Sequence, residues 1–206
     1  MKTFKEYYLL RESGEGDVGQ SYHYDAVEKA AESGNLEIVK HLVEKGANIG
    51  NAVFYAAQNG HIDIVKYLIE NDAGISDFAV TTAAYNGYFD ILKYLVENGA
   101  YIGDGVNYAA KSGYLDIVKY LIEKGANIDD TIYYAAENGH LDIVKYLIEE
   151  KGVDVSNEEN DLHYYIVHYA AKNSHLDIIK YLVEKGAYIS NKEMKDYLIQ
   201  NKKGVS

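Results

Sequence analysis

Cysteine, proline and tryptophan do not occur in the 206 residues, and arginine occurs once, at Arg11. Without cysteine there is no disulfide, no zinc–thiolate centre and no thiol nucleophile. No apolar run reaches the roughly 18 residues that a membrane-spanning helix needs. The opening MKTFKEYYLLRESGEG lacks the apolar stretch and small-residue cleavage site of a signal peptide. Positive charge is also scarce: 20 Lys and Arg stand against 32 Asp and Glu, for a formal net charge of -12. That balance argues against nucleic acid or an anionic membrane as partner, since both are bound by neutralising phosphates. It permits a protein partner with a basic surface, drawn in by the field of the whole molecule. A soluble, monomeric, cytoplasmic protein is expected. The shortage of Pro and Arg beside abundant Tyr, Lys, Asn and Ile is the residue usage of an AT-rich genome.

What is present is one phrase, repeated. Residues 135–148 read AAENGHLDIVKYLI, and close variants begin at Ala30, Ala56, Ala83, Ala109 and Ala170. Its glycine falls at Gly34, Gly60, Gly87, Gly113 and Gly139, at spacings of 26, 27, 26 and 26. Ser174 takes that place in the sixth copy, 35 residues after Gly139. A fixed period of this size marks an array in which each unit packs on its neighbours. The longer last interval locates an insertion between Glu150 and Tyr165.

Each unit reads as two short helices. In the unit from Asp130, Ile132, Ala135 and Ala136 fall at i, i+3, i+4 and make a narrow apolar face. The alanine pair permits close approach of a neighbouring helix, and Gly139 ends the helix in the left-handed region. In the second helix Leu141, Ile143, Val144, Leu147 and Ile148 make a wider buried stripe. Asp142 sits in the first turn, where an acid suits the helix dipole, and can pair with Lys145 three residues on. Gly46, Gly99, Gly125, Gly152 and Gly186 close the second helices. Asp72 replaces that glycine once, a tolerable change because Asp visits the left-handed region more readily than most residues.

At the ends, residues 3–12 (TFKEYYLLRE) read as a capping helix and 13–19 as a glycine-rich loop. That loop lacks the preceding strand and the lysine of a phosphate cradle. After Ser190, NKEMKDYLIQN reads as a C-terminal capping helix followed by a tail.

The pattern A-A-x-x-G-H-L-D-I-V-K-Y-L-I-x-x-G-A-N-I closely resembles the ankyrin repeat. The resemblance covers residues 25–190. It implies an all-α, ankyrin-type helix-turn-helix solenoid of six repeats with terminal capping helices. The repeats are 25–50, 51–77, 78–103, 104–129, 130–164 and 165–190, between caps at 1–24 and 191–206. Two departures stand out. The Thr-Pro-Leu-His opening of the family is missing; only His168 occupies its histidine position, which elsewhere holds Glu28, Phe54, Thr81, Asn107 and Tyr133. The units are also shorter than the family's roughly 33 residues. The deficit falls where the family places β-hairpin fingers, so most fingers are expected to be absent, with a long one at 152–165. Short units of this style resemble ankyrin proteins of giant viruses and of protists with AT-rich genomes.

The resemblance implies a non-enzymatic module that binds a protein on its concave side. Positions 5, 8 and 9 of each unit lie opposite the apolar face of the first helix. From the second unit on these are Tyr55, Gln58, Asn59; Thr82, Tyr85, Asn86; Tyr108, Lys111, Ser112; Tyr134, Glu137, Asn138; and Tyr169, Lys172, Asn173. In the first unit they are Lys29, Glu32 and Ser33. Exposed tyrosines beside small polar residues suit a binding surface, because Tyr gives much contact area at low entropy cost. The same tyrosines could instead cover seams between helices. A second row, Tyr67, Tyr94, Tyr120, Tyr146 and Tyr181, sits beside the second-helix stripe and reads as packing.

The insertion at 154–165 adds Asp154, Glu158, Glu159, Asp161 and His163 as candidate partner contacts on an acidic finger tip. Its opening echoes a calcium loop, but Glu159 stands where that loop needs Gly, and Tyr165 stands at position 12. His61, His140 and His175 recur at one repeat position, as helix-start residues rather than metal ligands. No metal and no cofactor is implied, and no nucleophile–base pair appears. Two other readings are an acidic decoy for nucleic acid, which needs a stripe of one charge, and a scaffold without a specific partner.

Overall fold

The computed structural model describes the backbone of residues 21–156 and 161–187, and the side chains of 26–156 and 165–187. The helix expected at 3–12, the loop at 13–19, the helix expected after Ser190, and Glu158 and Glu159 lie outside the described residues. The chain divides into two compact units, Met1–Ser76 and Asp77–Ser206.

In the first unit, α1 (Ser21–Glu32) and α2 (Leu36–Glu44) form one antiparallel pair, and α3 (Ala52–Gln58) and α4 (Ile62–Glu70) the next. First helix packs on first helix, α1 on α3, and second on second, α2 on α4. The second unit holds four more pairs: α5 (Asp77–Asn86) and α6 (Phe89–Glu97), α7 (Gly105–Ser112) and α8 (Leu115–Glu123), α9 (Thr131–Glu137) and α10 (Leu141–Glu149), α11 (Asp161–Lys172) and α12 (Leu176–Glu184). There α5, α7, α9 and α11 pack in succession, with α8, α10 and α12 behind them.

The core follows the repeat. Ala56, Ala57, Ala83, Ala84, Ala109, Ala110, Ala135 and Ala136 are fully buried between first helices. Leu68, Leu95, Leu121, Leu147 and Leu182 are fully buried in the second-helix stripe, where truncation to Ala would cost about 2–5 kcal/mol. Gly105, at the start of α7, is buried, and a Cβ there would press to 3.3 Å from both Val80 and Leu121. The helix-ending glycines all have positive φ; so do Asp72 (φ 61) and Ser174 (φ 64), which stand in for glycine.

No strand occurs among the described residues. The insertion differs from the expected finger. Residues 152–156 are irregular, with Asp154 accepting hydrogen bonds from the Ser156 amide (2.8 Å) and hydroxyl (2.7 Å). Helix α11 then begins at Asp161, so Asp161 and His163 belong to a helix and not to a finger tip. Residues 161–165 contain no Gly or Pro to stop a helix, so this first helix starts about a turn earlier in its unit than α3, α7 and α9 do in theirs.

Candidate functional site

The repeat pattern marks the residue before each second helix as a helix-start residue, and the structure adds a second role. His61, His140 and His175 occupy the cap position but make no side-chain cap bond. Their Nε2 atoms lie 3.2, 3.0 and 3.0 Å from the carbonyl oxygens of Glu32, Lys111 and Glu137, each in the preceding repeat. A carbonyl can only accept, so Nε2–H donates. Each ring also lies over the glycine that ends the preceding first helix. A Cβ on Gly34, Gly113 or Gly139 would come within 2.5–2.7 Å of the ring. These histidines are ties between repeats.

A parallel tie uses the position where the family carries its histidine. Glu28 Oε1 accepts from the Asn51 amide at 2.7 Å, and Asn107 Oδ1 accepts from the Thr131 hydroxyl at 2.8 Å. Thr131 is the one buried polar residue among the described residues, at 0% exposure. Its hydroxyl therefore depends on Asn107.

The second tyrosine row is packing in the second unit. Tyr146 (6% exposed) and Tyr181 (8%) are buried beneath lysines, a deeper placement than the flanking one expected for Tyr146. Lys119 and Lys151 lie 4.8 and 5.3 Å from the Tyr146 ring centre, and Lys145 and Lys185 lie 5.5 and 5.3 Å from that of Tyr181. Lys145 is thus committed to Tyr181 rather than to Asp142, whose Oδ1 accepts from the Ile143 amide at 2.9 Å. At these two junctions the lysine of one unit covers the tyrosine of the next. Tyr181 also donates to Glu149 (2.9 Å), which pairs with Lys185 (3.0 Å). The Lys185 and Tyr181 hydrogen bonds hold the Glu149 carboxyl below the usual carboxylate range.

The first-helix row is different. In the first unit Tyr55 is half-buried against Phe54, while Gln58 and Asn59 are exposed, Asn59 donating back to the Tyr55 carbonyl (2.9 Å). In the second unit Tyr85 and Tyr108 are the exposed members, at 49% and 41%, and meet edge to face at 6.3 Å. Tyr134 and Tyr169 are half-buried, each edge-on to Tyr133 at 5.1 Å; Tyr169 also stacks with Tyr165 and lies under Lys172 at 5.3 Å. Burial, then Glu137 and Tyr169, push the Tyr133 hydroxyl up to about 12. Thr82, Asn86, Ser112, Glu137 and Asn138 are half-buried, and Lys111, Lys172 and Asn173 exposed. Asn173 reaches the Glu137 carbonyl at 3.0 Å.

A cleft of about 230 Å³ opens on this row between α7 and α9, lined by Asp104, Asn107, Tyr108, Lys111, Asp130 and Tyr134. The sequence pattern points to Tyr108, Lys111 and Tyr134 but not to Asp104, Asn107 and Asp130. The available signal for the acids is their recurrence 26 residues apart, at the first position of two successive units. Among the described residues no group of three His, Cys, Asp or Glu is placed to hold a metal ion, and no helix is long and apolar enough to cross a membrane.

Paired antiparallel helices, stacked first on first and second on second with a turn ended by glycine, or by Ser174 in the last pair, define a helical-repeat protein. The chain belongs to the ankyrin repeat family: the profile described as "Ankyrin repeats (3 copies)" matches residues 27–105, 54–132 and 106–193. Among similar solved structures is the crystal structure of the human ASB11 ankyrin repeat domain. It is 24% identical, with a TM-score of 0.68, over 80% of this chain and 85% of that one. No curated protein sequence gives a match. Ankyrin repeats are generally protein–protein interaction modules and typically non-enzymatic.

Proposed function

We propose that the protein binds a protein partner through the first-helix face of its second unit, with Tyr85, Tyr108, Tyr134 and Tyr169 as the main contacts. One observation carries this reading. Tyr85 and Tyr108 keep nearly half of their surface in solvent on adjacent first helices although their rings touch, whereas Tyr146 and Tyr181 of the second row are buried. Large, two-torsion side chains left in solvent supply binding area at small entropy cost. The acidic-decoy reading draws no support, because lysines are interleaved with acids, as in the Lys119–Glu150 and Lys185–Glu149 pairs. The finer reading is a monomeric, cytosolic viral or parasite factor that acts on host proteins; the short repeats and AT-rich residue usage support the source it names.

The test is capture of partners from host cytosolic extract by the intact chain and by a Tyr85→Ala/Tyr108→Ala/Tyr169→Ala variant, with circular dichroism confirming that both are folded. A partner held by the intact chain and lost by the variant supports the reading. Equal retention by both would move the binding surface off this face.

A further inference from the structure

Asn98 stands where the repeat does not require an asparagine. The residue before the glycine that closes a second helix is lysine in four other repeats, at Lys45, Lys124, Lys151 and Lys185. In the third repeat it is Asn98, which creates an Asn-Gly pair; three more lie at 59–60, 86–87 and 138–139. Asparagine followed by glycine is the arrangement most prone to lose its side-chain amide, because glycine has no Cβ to shield its nitrogen. The fold does not treat the four pairs alike. The other three end first helices, and Gly60, Gly87 and Gly139 are half-buried there. The Tyr114 ring lies over Gly87 and the His175 ring over Gly139. Asn98 instead caps a second helix, α6, where it and Gly99 are both exposed, and a Cβ on Gly99 would meet nothing within 4 Å. Two bonds hold the pair: Asn98 Nδ2 donates to the Tyr94 carbonyl at 2.8 Å and the Gly99 amide to that of Val96 at 3.1 Å. Both belong to an exposed terminal turn, which opens at lower free energy than a turn covered by the next repeat.

We propose that Asn98 is a site of spontaneous covalent modification, converting to aspartate and isoaspartate in the folded protein. When the last turn of α6 opens, the Gly99 nitrogen bonds to Asn98 Cγ. The Cγ–Nδ2 bond breaks, and the amide leaves with the Gly99 proton as ammonia, closing a succinimide ring. Water then adds to either ring carbonyl. One opening gives aspartate; the other gives isoaspartate, with the main chain routed through the former side chain. No oxidant or reductant takes part. Either product replaces the donor to the Tyr94 carbonyl with a carboxylate at the negative end of the α6 dipole. Isoaspartate also adds a methylene to the link between α6 and α7.

The test incubates the full chain in mildly alkaline buffer, folded and in parallel unfolded in urea, and follows each asparagine by peptide mapping and mass spectrometry. In the folded chain Asn98 should convert at least about threefold faster than Asn59, Asn86 or Asn138, a ratio set by how readily each turn opens. In urea the four rates should converge. Asn98→Lys, which installs the residue of the other repeats, should remove the fast product. His175→Ala, which uncovers Gly139, should speed conversion at Asn138 and leave that at Asn98 unchanged, with dichroism confirming that both variants are folded. Three results would overturn the inference: conversion at any of the other three pairs as fast as at Asn98 in the folded chain, no conversion at Asn98 while the unfolded chain converts, or a lead for Asn98 that persists undiminished in urea.

Discussion

The ring of His140 covers Gly113, and its Nε2 donates to the carbonyl of Lys111 at 3.0 Å. The glycine of the repeat therefore answers two demands. It adopts a φ of 84°, and it leaves room for an imidazole from the next unit.

These demands separate by mutation. Gly125 has a similar φ of 91°, but a Cβ there would meet nothing within 4 Å. Gly125→Ala should cost only the left-handed penalty of about 1–2 kcal/mol. Gly113→Ala should cost that and about 1 kcal/mol more, as the imidazole swings out and its hydrogen bond is lost. Urea denaturation of both variants checks the order, and in a His140→Ala background the excess at Gly113 should vanish.

Thr131 and Asn107 should show the asymmetry of a buried polar pair. Asn107→Ala orphans a hydroxyl with 0% exposure and should cost about 1–3 kcal/mol, whereas Thr131→Val leaves only the half-buried Asn107 acceptor and should cost about 1 kcal/mol. The double variant should be more stable than the sum of the two losses predicts. Chemical denaturation of all four proteins completes the cycle.

Tyr120 and Tyr181 occupy one repeat position with opposite polar fates. The Tyr120 hydroxyl is buried with no hydrogen-bond partner among the described residues, while that of Tyr181 donates to Glu149. Tyr120→Phe should be neutral or stabilising by up to about 1 kcal/mol, and Tyr181→Phe destabilising by about 0.5–1.5 kcal/mol. Thermal melts of the two variants distinguish them by sign.

Tyr133 should make the protein's stability fall in alkali. Its hydroxyl is raised to about 12 by burial and then by Glu137 and Tyr169, from an ordinary value of 10.0. The neutral form is favoured in the fold, so its contribution is complete below pH 10. It is lost between pH 10 and about 12, where the unfolded chain ionises first. Tyr133→Phe removes that linkage, and its stability should fall less steeply over this range in denaturant titrations at stepped pH.

The period of 26, the alanine pairs and the glycine stops are enough to specify six helix pairs, because buried small residues at i, i+3, i+4 and a left-handed terminator leave a chain few other ways to fold. The face carrying Tyr108 and Tyr134 is legible for the same reason: it lies opposite the alanines on a helix of known pitch. Other features depend on partners one repeat away, and a pattern within one unit does not contain them. The histidine at the start of a second helix reads as a local residue until the carbonyl 29 positions back appears beside it. Lys145 has an acid three residues before it, but the Tyr181 ring wins its ammonium. Asp104 and Asp130 only open successive units in the sequence, and the packing of α7 against α9 turns them into the walls of one cleft. Local spacing determined the helices and their buried faces. The stacking of successive units decided which polar side chains meet, because those contacts join residues a whole repeat apart in sequence.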